Sequence, residues 1–230
     1  MVLFLPPELQ IQILSYLNIE DQVHAATVCP LWRTLLKTRS ILQTRYFEVE
    51  HANKLGHEPK ARVGPPGMHQ IIQYKDRYSV FGCIVQSGAV KEYFVGRRVP
   101  EFVLARRPRE KVVDAKDITR SPVLDDPIFS PFMRDKAYLK SSMELFRVGM
   151  EFRPGFITLR SLGPGLDVFS GQDTTLRQMV EKIARVSEGD LRILLQQGEK
   201  SKTRMVFTPH GRGFQVVVTE ISNMGTVWSV

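Results

Sequence analysis

Five histidines, two cysteines and the adjacent carboxylates Asp125 and Asp126 are side chains from which a metal site, a nucleophile or an acid–base pair could be assembled. A zinc site needs ligands at close and repeated spacing. His24, His51, His57, His69 and His210 do not offer it, and neither Cys29 nor Cys83 has a ligand-spaced neighbour. A shared-proton carboxylate dyad needs a dry pocket, and Asp125–Asp126 falls in a Pro-rich stretch that reads as exposed. The chain has no G-x-x-x-x-G-K-[ST] phosphate loop and no G-x-S-x-G elbow. Gly163-Pro164-Gly165 and Gly211-Arg212-Gly213 read as turns. The expectation is a chain that performs no catalysis and holds no metal and no cofactor.

Charge is the other chemical resource. The net charge is +8 over 230 residues. Residues 1–50 carry −1, with Arg33, Lys37, Arg39 and Arg45 against Glu8, Glu20, Asp21, Glu48 and Glu50, which leaves +9 for the remainder. Arg97-Arg98 and Arg106-Arg107-Pro108-Arg109 form its densest part. They are candidate contacts for an acidic partner, a two-part nuclear import signal, or a solvated flank of a strand. Ser121-Pro122 and Ser130-Pro131, if exposed, could accept phosphate nearby.

These residues must be positioned by elements that the pattern reveals. With 43% hydrophobic residues, the composition suits a folded chain with a core, and no apolar run reaches the roughly 18–20 residues of a membrane span. Met1 to Glu8 carries no basic n-region, so no signal peptide is expected. Two cysteines cannot build a disulfide framework, which points to a reducing compartment, cytoplasmic and/or nuclear.

The first 47 residues read as three short helices. Leu9, Ile13, Tyr16 and Leu17 recur at helical spacing, with Leu14 widening the stripe. Pro6-Pro7 suits a helix start, Asn18 a stop and a cap, and Pro30 the opening of the third helix. Residues 48–67, rich in Gly and Pro from Gly56 onward, read as a linker. Residues 68–230 read as a small α+β unit with antiparallel strands. Its expected parts are strands at 78–85, 93–95 and 146–152, a long exposed loop at about 108–131, and a return strand at Phe156–Leu159. A helix capped by Asp173 or Thr174 should break at 187–190 and resume at 191–195. Residues 205–207 and 214–218 read as an antiparallel pair.

One constellation is specific. Leu5, Pro6, Pro7, Glu8 and Leu9 precede Ile13-Leu14, Leu17, Asp21, Val28-Cys29 and Trp32-Arg33 at set intervals. This run resembles an F-box, whose pattern is roughly LPxEL, IL, L, D, VC and WR in the same register. The resemblance covers residues 4–47 and nothing after. It implies a three-helix module that docks on the Skp adaptor, and through it on a cullin, while the rest of the chain captures a protein substrate for ubiquitin-dependent degradation. Leu5-Pro6 would enter an adaptor pocket as a rigid segment. Val28, Cys29 and Trp32 would pack the helices together and against the partner, with Trp32 as anchor, and Arg33 would be a candidate partner for Glu8. Gln22 stands where the family has an apolar residue, which predicts looser packing of the second helix. The chain opens four residues before Leu5, which predicts no regulatory extension there. The remainder loosely resembles short F-box proteins of filamentous fungi.

Two other readings compete. One is a basic nucleic-acid-binding α+β protein, although no RNA- or DNA-binding motif is present. The other keeps the Skp adaptor but forms a non-degradative complex.

Overall fold

Pro7, the first residue of α1 (Pro7–Ser15), has no N–H to leave unsatisfied at a helix start. Asn18 begins α2 (Ile19–Val28): its Oδ1 accepts the Asp21 N–H at 2.8 Å. Cys29 is extended, and its Sγ accepts the Trp32 N–H at 3.4 Å at the start of α3 (Pro30–Leu35). A fourth short helix, α4 (Arg39–Thr44), was not expected. These observations come from a computed structural model that describes residues 5–46, 67–72, 79–101, 109–133, 148–153, 173–195, 202–210 and 213–221. Most of the expected linker and the expected Phe156–Leu159 strand lie outside the described residues.

The rest is α+β, as the sequence implied. Strands β1 (Ser79–Gln86), β2 (Ala89–Glu101), β3 (Arg109–Asp117), β4 (Val148–Arg153), β5 (Lys202–His210) and β6 (Gly213–Ile221) form one six-stranded sheet of order β3-β2-β1-β5-β6-β4. Every pairing is antiparallel except β4 with β6, which is parallel. Ser87 (φ 51°) and Gly88 (φ 69°) make the β1–β2 turn, whose two positive φ values match the twist of a tight hairpin. Along β1, Phe81, Cys83 and Val85 face one side of the sheet and pack with Met179, Val180 and Ile183 of α5 (Leu176–Leu195). Val80 and Ile84 face the other side with Phe94, Val112, Val206 and Val217. This is the period-2 alternation of a strand covered on both faces.

Three expectations are corrected. Residues 108–131 are not a long exposed loop: 109–117 form β3, and Ile118, Val123, Leu124, Ile128 and Phe129 are buried. β3 carries many charges because it is a sheet edge, where charged side chains are tolerated and protective. It pairs with β2 across a bulge near Val95 and Arg97, with Asp114 at φ 53°. Second, α5 runs unbroken through 187–190 to Leu195. Third, its start is a capping box made by Thr175, not by Asp173 or Thr174. The Gln178 N–H donates to Thr175 Oγ1 at 3.2 Å, and the Thr175 N–H donates to Gln178 Oε1 at 3.0 Å.

The helices join the sheet unit through α2. Ile19 and Val23, one turn apart, belong to the main core with Met68, Ile71 and Leu124. Ala25 and Ala26 turn instead to a smaller cluster with Leu14, Leu35, Leu36 and Ile41.

Candidate functional site

The apolar residues of α1 are not one stripe. Positions at i, i+4 and i+7 share a helix face, and two such rows run side by side. Gln10, Leu14 and Leu17 turn inward: Leu14 is fully buried, Gln10 buried and Leu17 half-buried. Leu9, Ile13 and Tyr16 turn outward, at 47%, 44% and 82% exposure. Leu5 precedes this row at 37% exposure. An apolar row held in water by an otherwise packed helix is a candidate interaction surface.

Gln10 organises the start of that surface. Its Nε2 donates to the Leu5 carbonyl at 2.6 Å, and its Oε1 accepts the Trp32 indole N–H at 2.8 Å. One buried amide therefore fixes the backbone of Leu5-Pro6 and the orientation of Trp32.

The other motif residues divide between presentation and packing. Pro6, Pro7 and Glu8 are exposed at the start of α1, with Glu8 in the first turn, where the helix dipole favours an acid. Asp21 Oδ2 accepts from Asn18 Nδ2 at 2.8 Å. Val28 is exposed, as is Leu31 beyond it. Cys29 is half-buried as the α3 cap, and Trp32 packs against the small helical cluster. Arg33 Nε donates to the Ala26 carbonyl at 3.3 Å, tying α3 to α2, and forms no ion pair with Glu8.

A buried polar network behind this module was missed by the sequence reading. Gln22 is not a weak point of α2. It is buried, donates to the Leu17 carbonyl at 3.0 Å and Thr44 Oγ1 at 3.2 Å, and accepts Arg45 Nε at 2.8 Å. Arg45 is among the most buried side chains of the chain. Its Nη2 donates to the Leu36 carbonyl at 2.7 Å and its Nη1 to Asp126 Oδ2 at 2.5 Å. His69 Nε2 lies 3.3 Å from the same oxygen, and His69 Nδ1 accepts the Ile71 N–H at 3.2 Å. With Nδ1 accepting, the hydrogen sits on Nε2 and is donated to Asp126. Burial lowers the His69 pKa, against the opposing pull of Asp126. Tyr46 stands edge-on to the His69 ring with centroids 5.1 Å apart, and its hydroxyl donates to the Pro127 carbonyl at 2.8 Å.

A histidine oriented by a carboxylate is the arrangement of a general base. Here both ring nitrogens are engaged and the ring is fully buried, so no proton can be taken from a substrate at this place. The network is structural. It also corrects the reading of Asp126, which is buried rather than exposed in a loop.

The remaining candidates fall on the paired strands β2 and β3, on the buried 118–130 segment, or outside the described residues. Arg97 and Arg98 lie in β2 and Arg109 in β3, where Arg109 is opposite Glu101. Arg106 and Arg107 lie outside the described residues. Ser121 and Ser130 are buried, and their hydroxyls accept the N–H groups of Val123 and Phe132, so neither is open to modification in the folded chain. Among the described residues no group of three or more His, Cys, Asp or Glu is placed to hold a metal ion, and no helix is long and apolar enough to cross a membrane.

The structure thus defines an α+β protein whose N-terminal helices hold an apolar row open to solvent on α1. The family model of the F-box-like domain matches residues 2–48, so the chain carries an F-box-like domain in this N-terminal segment. Such a domain is a Skp-binding module, and the exposed row lies within the matched segment. No curated protein and no solved structure matches the chain.

Proposed function

We propose that the chain is a substrate-recruiting subunit of a Skp–cullin–F-box ubiquitin ligase. It would bind the Skp adaptor through Leu5, Leu9, Ile13 and Tyr16 and present a protein substrate on the sheet unit. The observation that carries this reading is the exposed row on α1 inside the F-box-like segment. The chain itself would perform no chemistry. Its contribution would be effective concentration, holding a substrate near the ubiquitin carrier. The reading implies a cytoplasmic or nuclear setting, where Skp and cullin partners act.

The test is co-purification with the Skp adaptor, comparing the wild type with Leu9→Glu/Ile13→Glu. Both positions are exposed, so the melting curve of the free chain should hardly move. Binding should fall at least about tenfold, since burying one leucine is worth roughly 1.5–3 kcal/mol. Undiminished binding by the double variant would sink the reading. Purification from native cells with the proteasome inhibited would then report cullin and substrate together.

A further inference from the structure

We propose that the Arg45–Asp126 lock makes the adaptor-facing helices and the sheet one cooperative unit, so that a partner bound on α1 also stabilises the sheet. The second half rests on the reading of the F-box-like module given above; the first does not.

The lock joins residues 81 positions apart, and both side chains are removed from water. Arg45 uses all three of its nitrogens, on Gln22 of α2, the Leu36 carbonyl and Asp126. Asp126 in turn belongs to the sheet side: its carbonyl accepts the Leu176 N–H at 3.0 Å at the head of α5. Backbone bridges reinforce the seam. Tyr46 pairs with His69, Met68 with Phe129, and Pro127 with Thr175. The Gln70 N–H donates to the Arg45 carbonyl at 2.7 Å.

Opening the helices alone would strip the guanidinium from its carboxylate and uncover Ile19 and Val23, which belong to the sheet's core. The opened state would forfeit the pair's hydrogen bonds and return apolar core surface to water at the same time. Partial opening therefore lies close to global unfolding. A sheath of apolar contacts alone could let the helices breathe separately; the buried pair does not.

Hydrogen exchange on the full chain across a urea series tests this. In the wild type, amides of α2 and β5 should merge into one opening transition. In Asp126→Ala, α2 amides should exchange at least tenfold faster relative to β5 amides, splitting the transition. A residue that merely adds stability would lower both sets together, and that result would overturn the lock. A separate α2 transition at lower urea in the wild type would overturn it as well, whether or not Asp126→Ala folds. Arg45→Lys, which keeps the charge but loses the fork, gives a milder second variant, and its split should be smaller but present. With Skp adaptor added, exchange should slow at both α2 and β5 in the wild type and at α2 alone in Asp126→Ala. Slowing confined to α2 in the wild type counts against the coupling, whereas no adaptor binding at all strikes only the proposed function.

Discussion

The Trp32 indole nitrogen and Gln10 Oε1 lie 2.8 Å apart, and the same Gln10 amide reaches back to the Leu5 carbonyl. A side chain between the two apolar ends of the F-box motif thus decides how both are held. Replacing it by alanine leaves the Trp32 N–H without its acceptor and releases Leu5-Pro6. Gln10→Ala should lower the urea midpoint by an amount equivalent to about 1–3 kcal/mol. It should also weaken Skp binding beyond that of a stability-matched variant in the sheet. Equal affinity for the adaptor would show that Leu5 does not need Gln10 to be presented.

His69 gives the fold a defined acid response. Burial lowers its pKa below 6.5 while Asp126 opposes, and Arg45 and Tyr46 are the other groups facing it. The folded state therefore keeps the ring neutral while the unfolded chain takes up a proton below about pH 6.5. The stability from this group is complete above that pH and is lost as pH falls through the folded-state value, at up to about 1.4 kcal/mol per pH unit. Urea midpoints from pH 8 to 5 should show the decline, and His69→Asn, whose amide oxygen can still accept the Ile71 N–H, should flatten it. An identical slope in the variant would assign the response elsewhere.

The two thiols should behave oppositely. Cys83 is buried in the sheet core, and burial raises its pKa well above the ordinary thiol range, whereas Cys29 is half-buried at the α3 cap. An aromatic disulfide reagent should titrate one thiol in the native chain and the second only at the rate of unfolding. Rapid release of two equivalents from folded protein would contradict the described core.

Gly82 tolerates no side chain. A Cβ there would stand 2.4 Å from Phe94 Cζ and 2.6 Å from the Met205 carbonyl oxygen. The ring could shift, but the carbonyl belongs to β5, hydrogen-bonded beside β1. Gly82→Ala should cost about 1–3 kcal/mol or more, read as a lowered urea midpoint. A neutral effect would mean that the β1–β5 spacing is looser than described.

The starts of the first helices and the places of several strands were legible because they depend on local chemistry. Asn18 and Pro30 cap and open helices, and β1 and the antiparallel β5–β6 pair lie where they were read. The motif from Leu5 to Arg33 was legible as a pattern, but not the division of α1 into inner and outer rows. That division depends on Gln10 and Gln22, whose polarity suggests exposure until the partners at 2.6–3.2 Å are seen. Asp126 and His69 were missed for the same reason: a buried charge is intelligible only beside its counter-charge, which lies far away in sequence. Residues 118–130 misled differently. They bury apolar side chains on irregular backbone, which has no period, and their long-range backbone bonds go to residues 67, 69, 93, 174 and 176.

The strand order has a consequence for synthesis. β1 sits between β2 and β5, with Phe81 opposite Phe207, so the middle of the sheet closes only when the C-terminal strands exist. At about 5–20 residues per second, Arg45 and the row on α1 leave the ribosome on the order of ten to thirty seconds before β6. During that interval Ile19 and Val23 lack their core, and Arg45 waits for a carboxylate not yet in place. The apolar row on α1 is therefore made early and oriented late. A nascent chain could meet a Skp adaptor before it has a sheet to display.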